Sequence, residues 1–219
     1  MKSQDIGLLL KLICLQNQDK RLVSNLKIHA DLPFDWSDWM LTGTELEQGI
    51  PTITLPESGH ILAERYNVRA LAQETGISKS QVSLSLQRMM DVGLAKRDRR
   101  LGVPRANSRL LLDFLEHGLR FVFPASPGEL TRGITTSFSA PVLEGKLMSA
   151  GDLPMVWPDA KGNTKGQAVE PLFKSVTYAV RRDPEMYALL ALTDAIRLGQ
   201  PRERNLAISM LKKRLETDR

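Results

Sequence analysis

The sequence has little of what most metal-dependent, secreted or nucleotide-binding proteins need for their chemistry. Its 219 residues include one cysteine, Cys14, and three scattered histidines, so no internal disulfide can form and no zinc-binding pattern is present. The spacings HExxH, CxxC, GxSxG and GxGxxG and the Walker loop are also missing. The sequence therefore predicts a protein that is not an enzyme and that binds no metal or cofactor.

Long hydrophobic runs are missing as well. The longest one near the start, from Ile6 to Leu15, is interrupted by Lys11. No segment reaches the roughly 20 apolar residues that span a bilayer, and no small-residue cleavage site follows the first run as in a signal peptide. We expect a cytoplasmic protein that makes no membrane contact, in which the lone thiol stays reduced.

Excess charge of one sign is small overall but concentrated in one stretch. Thirty Lys and Arg residues against 25 Asp and Glu give a net charge of +5. Between Ile61 and Leu110, ten basic residues stand against four acidic ones, a surplus of six. This stretch carries all of the net positive charge, and a localised basic surface favours nucleic acid as a partner.

The same stretch has the pattern of two short helices joined by a tight turn. Asn67 is placed to cap the first helix, and Gly76 supplies the positive φ that such a turn demands. Ile77 is predicted to lie beneath the turn, and Ser78 to cap the second helix. Helical spacing predicts an inward stripe on the second helix, made of Val82, Ser85, Leu86 and Met89.

A basic hairpin is predicted to follow the second helix, because Gly93 precedes a short strand and a cluster of four cations. A helix in the major groove presents its first two turns to the bases, and a basic hairpin beside it contacts the backbone. The candidate base contacts are Ser80, Gln81, Leu84 and Gln87. The candidate phosphate contacts on the helix are Ser78, Lys79, Ser83 and Arg88. The candidate contacts of the hairpin are Lys96, Arg97, Arg99 and Arg100.

Residues 66–101 resemble the helix-turn-helix of MarR-type winged-helix transcriptional regulators. The resemblance is carried by LAxxTGISKSxVSxxLxRMxxxGL, which begins at Leu71 and ends at Leu94. It implies a winged helix and DNA binding for this part of the chain. The family has long dimerisation helices at both ends, whereas residues 17–59 and 124–170 are loop-rich here. The family's dimer arrangement and effectors are therefore not carried over.

Patterns outside this motif are weaker. An amphipathic first helix is predicted from Ser3 to Gln16, and another helix with a nearly continuous apolar face from Ser108 to Phe121. Pro184 after Asp183, Gly199 and Pro201 predict a C-terminal helical hairpin that ends near Leu215. The remaining expectations are a short strand at 50–55, a tryptophan-anchored loop around Trp36 and Trp39, a loop-rich segment at 124–170 and within it a short helix at 139–148.

The predicted fold is mainly α with a small β wing. A winged helix-turn-helix domain at 1–123, with an irregular insertion at about 17–59, precedes an extended region at 124–219 that ends in the helical hairpin. The predicted function is a sequence-specific, double-stranded DNA-binding transcriptional regulator, a homodimeric repressor of its own or a neighbouring operon. The C-terminal region then serves dimerisation or binds a partner protein or a small effector. The alternative is an antitoxin-like or adaptor protein whose C-terminal region binds a partner protein while the winged domain autoregulates.

Overall fold

The structure, a computed structural model, describes residues 1–23, 38–39, 63–146 and 153–215. The strand predicted at 50–55 and Trp36 lie outside the described residues. The elements are α1 (Ser3–Val23), α2 (Val68–Thr75), α3 (Lys79–Asp91), β1 (Ala95–Arg97), β2 (Pro104–Ala106), α4 (Ser108–His117), α5 (Leu119–Val122), β3 (Pro127–Thr135), β4 (Met155–Pro158), β5 (Thr164–Val169), α6 (Val176–Val180), α7 (Pro184–Leu198) and α8 (Pro201–Leu215). The described part of the chain is mainly helical with two small sheets, which confirms the coarse fold class.

Helix α1 lies at the centre of the molecule. It packs against α2, α3, β2 and α7, and every residue from Asp5 to Leu15 is buried, including Lys11. The prediction of an amphipathic helix ending at Gln16 is wrong in two respects. The helix continues to Val23, and its apolar side chains are covered on all sides because elements from both halves of the chain surround it.

The C-terminal helical hairpin is confirmed. The Asp183 carboxylate accepts hydrogen bonds from the backbone N–H groups of Glu185 and Met186, so it caps α7, and Pro184 occupies the first turn. Helix α7 ends at Gly199, and α8 packs back against it. Nearly all of α7 is buried, so this helix is a second core element beside α1.

The largest difference from the prediction lies between residues 124 and 170. Strand β3 pairs antiparallel with both β4 and β5, and β4 pairs parallel with β5, so the three strands close on themselves. The strands approach so closely that a Cβ on Gly133 would lie 2.0 Å from the Trp157 carbonyl oxygen. The prediction of a loop-rich segment is therefore wrong. The predicted helix at 139–148 is replaced over its described part by 3₁₀ turns at Ser137–Ser139 and Pro141–Leu143.

A buried carboxylate joins this closed sheet to α7. Asp194 accepts hydrogen bonds from the Thr136 hydroxyl at 2.9 Å and the Trp157 indole N–H at 2.6 Å, and it pairs with Arg197 at 2.6 Å. Burial raises the pKa of Asp194 despite these partners. Trp39, whose role as an anchor to the core is confirmed, packs edge-on against Tyr187 of α7.

One hydrophobic core contains residues from both sides of the predicted boundary at residues 123 and 124. Leu111 and Leu115 of α4 belong to it together with Ile134 of β3 and Leu211 of α8. The division into domains at 1–123 and 124–219 stays a prediction. The single helix predicted over 108–121 is interrupted at Gly118, where α4 ends and α5 begins.

Candidate nucleic-acid interface

Helices α2 and α3 meet at a tight turn that is capped as the sequence predicts. The Asn67 side chain accepts a hydrogen bond from the Ala70 N–H at 2.7 Å, and the Ser78 hydroxyl accepts one from the Gln81 N–H at 3.4 Å. Gly76 has a φ of +69° and Ile77 is buried beneath the turn. Because these determinants are local, the sequence was sufficient to predict them.

Helix α3 has a buried face and an exposed face. Val82, Ser85 and Met89 are buried and Leu86 is half-buried, which confirms the predicted inward stripe. Four residues on the opposite face form what we call the α3 outer strip: Ser80, Ser83, Leu84 and Gln87, all of them exposed. The strip offers hydroxyl groups, one amide and one apolar side chain to the solvent. Ser78 and Lys79, at the start of the helix, are exposed as well.

A short antiparallel hairpin follows α3. Strands β1 and β2 pair with Lys96 opposite Arg105, and the Asp98 N–H donates to the Val103 carbonyl across the loop. The Asp98 carboxylate accepts hydrogen bonds from the backbone N–H groups of Leu101 and Arg100, which lower its pKa and hold the tip. The hairpin cations, as we call them, are all exposed: Lys96, Arg97, Arg99 and Arg100.

Arg88, predicted as a phosphate contact, is instead bound to the protein interior. Its guanidinium lies 2.6 Å and 3.0 Å from the two carboxylate oxygens of Asp5, which also accepts a hydrogen bond from Ser85. The Asp5 side chain is completely buried, and burial alone would raise its pKa. The hydrogen bond from Arg88 and further donors outweigh burial and lower the pKa. Arg88 therefore neutralises a core carboxylate, and we withdraw it from the candidate phosphate contacts.

Gln81, predicted as a base contact, is directed partly toward α1. Its amide oxygen accepts a hydrogen bond from Gln4 at 3.0 Å, and its side chain is half-buried. Gln81, Ser85 and Arg88 recur at helical spacing on one edge of α3. That spacing is a sequence signal for a shared polar neighbour, although it does not reveal that the neighbour is α1. Gln81 is thus separated from the α3 outer strip.

Replacing Arg88 with alanine is expected to destabilise the fold by about 2 to 4 kcal/mol, because the buried Asp5 carboxylate loses its cation. Urea unfolding at neutral pH measures the change. Arg69→Ala, at an exposed position of α2, is the control and is expected to change stability by less than about 0.5 kcal/mol. A loss for Arg88→Ala as small as the control's would mean that the side chain is available for other contacts.

A second ionic cluster attaches the hairpin to α1. Asp19 accepts hydrogen bonds from the Tyr66 hydroxyl at 2.6 Å and from Arg105 at 2.8 Å, and Arg65 lies 3.5 Å away. The acids of α1 thus neutralise three of the ten cations between residues 61 and 110. The seven others are exposed: Arg69, Lys79, the four hairpin cations and Arg109. These seven cations outnumber the four acidic residues of the same stretch, so part of the positive surplus remains at the surface of this part of the fold.

The described ranges also bear on metal binding and on membrane spans. No group of three or more His, Cys, Asp or Glu side chains there is arranged to hold a metal ion. No helix in the same ranges combines the length and the apolar character needed to cross a membrane. Comparison of the chain with protein-family models, with curated proteins and with solved structures gives no match.

Proposed function

We propose that this protein is a sequence-specific, double-stranded DNA-binding transcriptional regulator, and that α2, α3 and the β1–β2 hairpin form a winged helix-turn-helix. The observation that carries the proposal is the α3 outer strip, an exposed and mostly polar surface on a helix that packs against β1 of the hairpin, which carries four exposed cations. A polar helix face of this size fits the major groove, and cations beside it fit the phosphates that border the groove.

The residues have distinct roles in this proposal. Gln87 has the amide geometry that makes paired hydrogen bonds to adenine, and Leu84, 52% exposed, suits a thymine methyl group. Ser80 and Ser83 have short side chains, so the helix can approach the DNA closely. Their hydroxyl groups can then bond to base edges or to nearby phosphates. Lys79 and the hairpin cations bind phosphates, which positions α3 without specifying the sequence. In the free protein, the Gln87 amide donates a hydrogen bond to the Asp91 carboxylate at 2.7 Å. Contact with a base would replace this hydrogen bond with one to DNA.

We propose further that the protein binds as a homodimer and represses its own or a neighbouring operon. Two neighbouring apolar residues of α5 are exposed: Phe121 at 77% and Val122 at 53%. They follow the α3 outer strip by more than 30 residues in the sequence. An apolar pair at a surface favours contact with another polypeptide. A two-fold dimer presents two copies of α3 to half-sites about 34 Å apart, the repeat of the DNA helix.

The direct test is a gel-shift titration of the full-length protein against the intergenic DNA upstream of its own gene, with nonspecific competitor present. We expect a discrete complex that a scrambled duplex of equal length and composition does not form. Light scattering of that complex is expected to give two chains per duplex. Equal binding to the native and scrambled duplexes would overturn sequence-specific regulation.

Replacing Gln87 with alanine is expected to reduce the discrimination between native and scrambled duplexes by about 1 to 3 kcal/mol, the contribution of one good amide–adenine pair. Fluorescence anisotropy titrations of the two duplexes measure the ratio of dissociation constants. Gln200→Ala, an exposed glutamine between α7 and α8, is the matched control and should leave the ratio unchanged. If Gln87→Ala weakens binding to the native and the scrambled duplex equally, Gln87 does not contact a base.

A further inference from the structure

The turn between α2 and α3 is held by residues from the C-terminal half of the chain. The Ser175 hydroxyl donates a hydrogen bond to the Thr75 carbonyl at 2.8 Å, and the Tyr178 hydroxyl donates one to the Gln73 carbonyl at 2.9 Å. A Cβ on Gly76 would lie 2.8 Å from the Ser175 Cβ. The segment around α6 is therefore in direct contact with the turn from which α3 begins.

This segment brings two cations to the turn. Lys174, next to Ser175, is exposed and forms no ion pair with a described residue. Arg182 is exposed, and its guanidinium stacks 3.5 Å from the centre of the Tyr178 ring while it donates to the Tyr178 carbonyl. The stacking holds Arg182 against the same tyrosine that binds α2, which reduces the entropy lost when the guanidinium meets an anion.

The acidic side chains near these cations have other basic partners. Glu74 of α2 shares Lys11 with the buried Asp183, and Asp159 and Glu185 pair with Arg181 and Arg214 respectively. None of these four carboxylates forms an ion pair with Lys174 or Arg182, so both cations are available to a phosphate. Together with Lys79, the first residue of α3, they form what we call the turn-side cations: Lys79, Lys174 and Arg182.

A helix lying in the major groove has a phosphate strand on each side, because the groove is only about 12 Å wide. The hairpin cations come after the C-terminal end of α3, whereas the turn-side cations adjoin its N-terminal end. We propose that Lys174 and Arg182 bind phosphates of the same DNA that α3 enters, so that both halves of the chain contribute to one interface. This inference rests on the proposed DNA-binding function. It adds Lys174 and Arg182, which lie outside residues 66–101, to the residues that contact DNA.

The test uses the full-length Lys174→Gln/Arg182→Gln variant and a mixed-sequence DNA duplex, because phosphate contacts do not depend on sequence. Loss of two contacts is expected to weaken binding about 50-fold at about 0.1 M salt and to reduce the slope of log affinity against log salt by about 2. Lys174→Arg keeps the charge and is expected to retain the wild-type slope. Circular dichroism and the thermal midpoint establish that each variant is folded.

The matched control removes the same charge elsewhere. Lys165 lies on β5, which pairs with β3 and β4, and Arg202 lies on α8, which packs on α7; both are exposed. An equal loss in Lys165→Gln/Arg202→Gln would overturn the inference, because the effect would then belong to net charge. The inference would also be overturned if the Lys174→Gln/Arg182→Gln variant kept the wild-type salt slope while loss of the hairpin cations weakened DNA binding. In that case the proposed function would stand. Failure of the wild-type protein to bind any duplex would overturn the proposed function itself.

Discussion

Replacing Lys11 with methionine is expected to lower the free energy of unfolding by about 3 to 5 kcal/mol. The Lys11 ammonium lies in the core, 2.7 Å from a carboxylate oxygen of Asp183 and 3.2 Å from one of Glu74. Methionine has a similar shape, but it leaves the Asp183 carboxylate, of which only 5% of the side chain is exposed, without its cation. A buried charge that loses its partner is strongly destabilising, whatever the intact pair contributes.

The pKa values of Lys11 and Asp183 decide at which pH the stability should be measured. Burial alone would lower the pKa of Lys11, but attraction to Asp183 and then Glu74 outweighs burial and raises it. Burial alone would raise the pKa of Asp183, but attraction to Lys11, the hydrogen bond from Lys11 and the N–H donors of Met186 and Glu185 together outweigh burial and lower it. The Lys11 contribution is therefore complete below its unfolded-state pKa of about 10.4 and is lost as the pH rises through the higher folded-state pKa. The Asp183 contribution is complete above about 3.9 and is lost as the pH falls through the lower folded-state pKa, so urea unfolding at neutral pH measures both in full.

Two further variants separate the ion pair from general damage to the core. Asp183→Asn removes the charge and keeps an oxygen that accepts hydrogen bonds at the start of α7. The Lys11→Met/Asp183→Asn double variant is expected to lose less stability than the sum of the single losses, by about 1 kcal/mol or more. Lys79→Met, at an exposed site, is expected to stay within about 0.5 kcal/mol of wild type. A Lys11→Met loss equal to that of Lys79→Met would contradict the interpretation.

The elements that the sequence predicted are those whose ends are determined by neighbouring residues. Asn67, Gly76 and Ser78 act within four residues of the backbone they cap, and Asp183 does the same for α7. Such contacts leave a pattern in the sequence because partner and position are adjacent in the chain. For the same reason, the exposed face of α3 follows from the helical period once its start is known.

The closed sheet was not predictable in this way. Gly128 and Gly133 interrupt the apolar alternation of β3, and Pro127 begins it, so the strand lacks the composition that identifies strands. Gly133 is needed because the Trp157 backbone of β4 lies against it, a contact between segments more than 20 residues apart. The role of Arg88 was missed for a similar reason, since Asp5 is 83 residues away in the chain. Long-range packing therefore decided both cases.

Replacing all four hairpin cations with alanine is expected to weaken DNA binding about 3000-fold at about 0.1 M salt and to reduce the salt slope by about 4. Each cation that neutralises a phosphate releases about 0.9 counterion, so the losses accumulate with the number of contacts. The fold should tolerate the change, because these side chains make one hydrogen bond to the described residues, an exposed one from Arg97 to the Gly102 carbonyl. Asp98 is retained, because its carboxylate holds the tip of the hairpin.

The control for this variant must match its change in net charge. Four exposed cations outside α2, α3, α6 and the hairpin serve this purpose: Lys146, Lys165, Arg202 and Lys213. Charges farther from bound DNA than the Debye length of about 10 Å at 0.1 M salt are largely screened, so their replacement by alanine is expected to weaken binding far less than loss of the hairpin cations. If the two fourfold variants lose affinity equally, DNA responds to overall charge and the hairpin is not a wing. If only the hairpin variant loses affinity, the loss is specific to the hairpin beside α3, as the proposed interface requires.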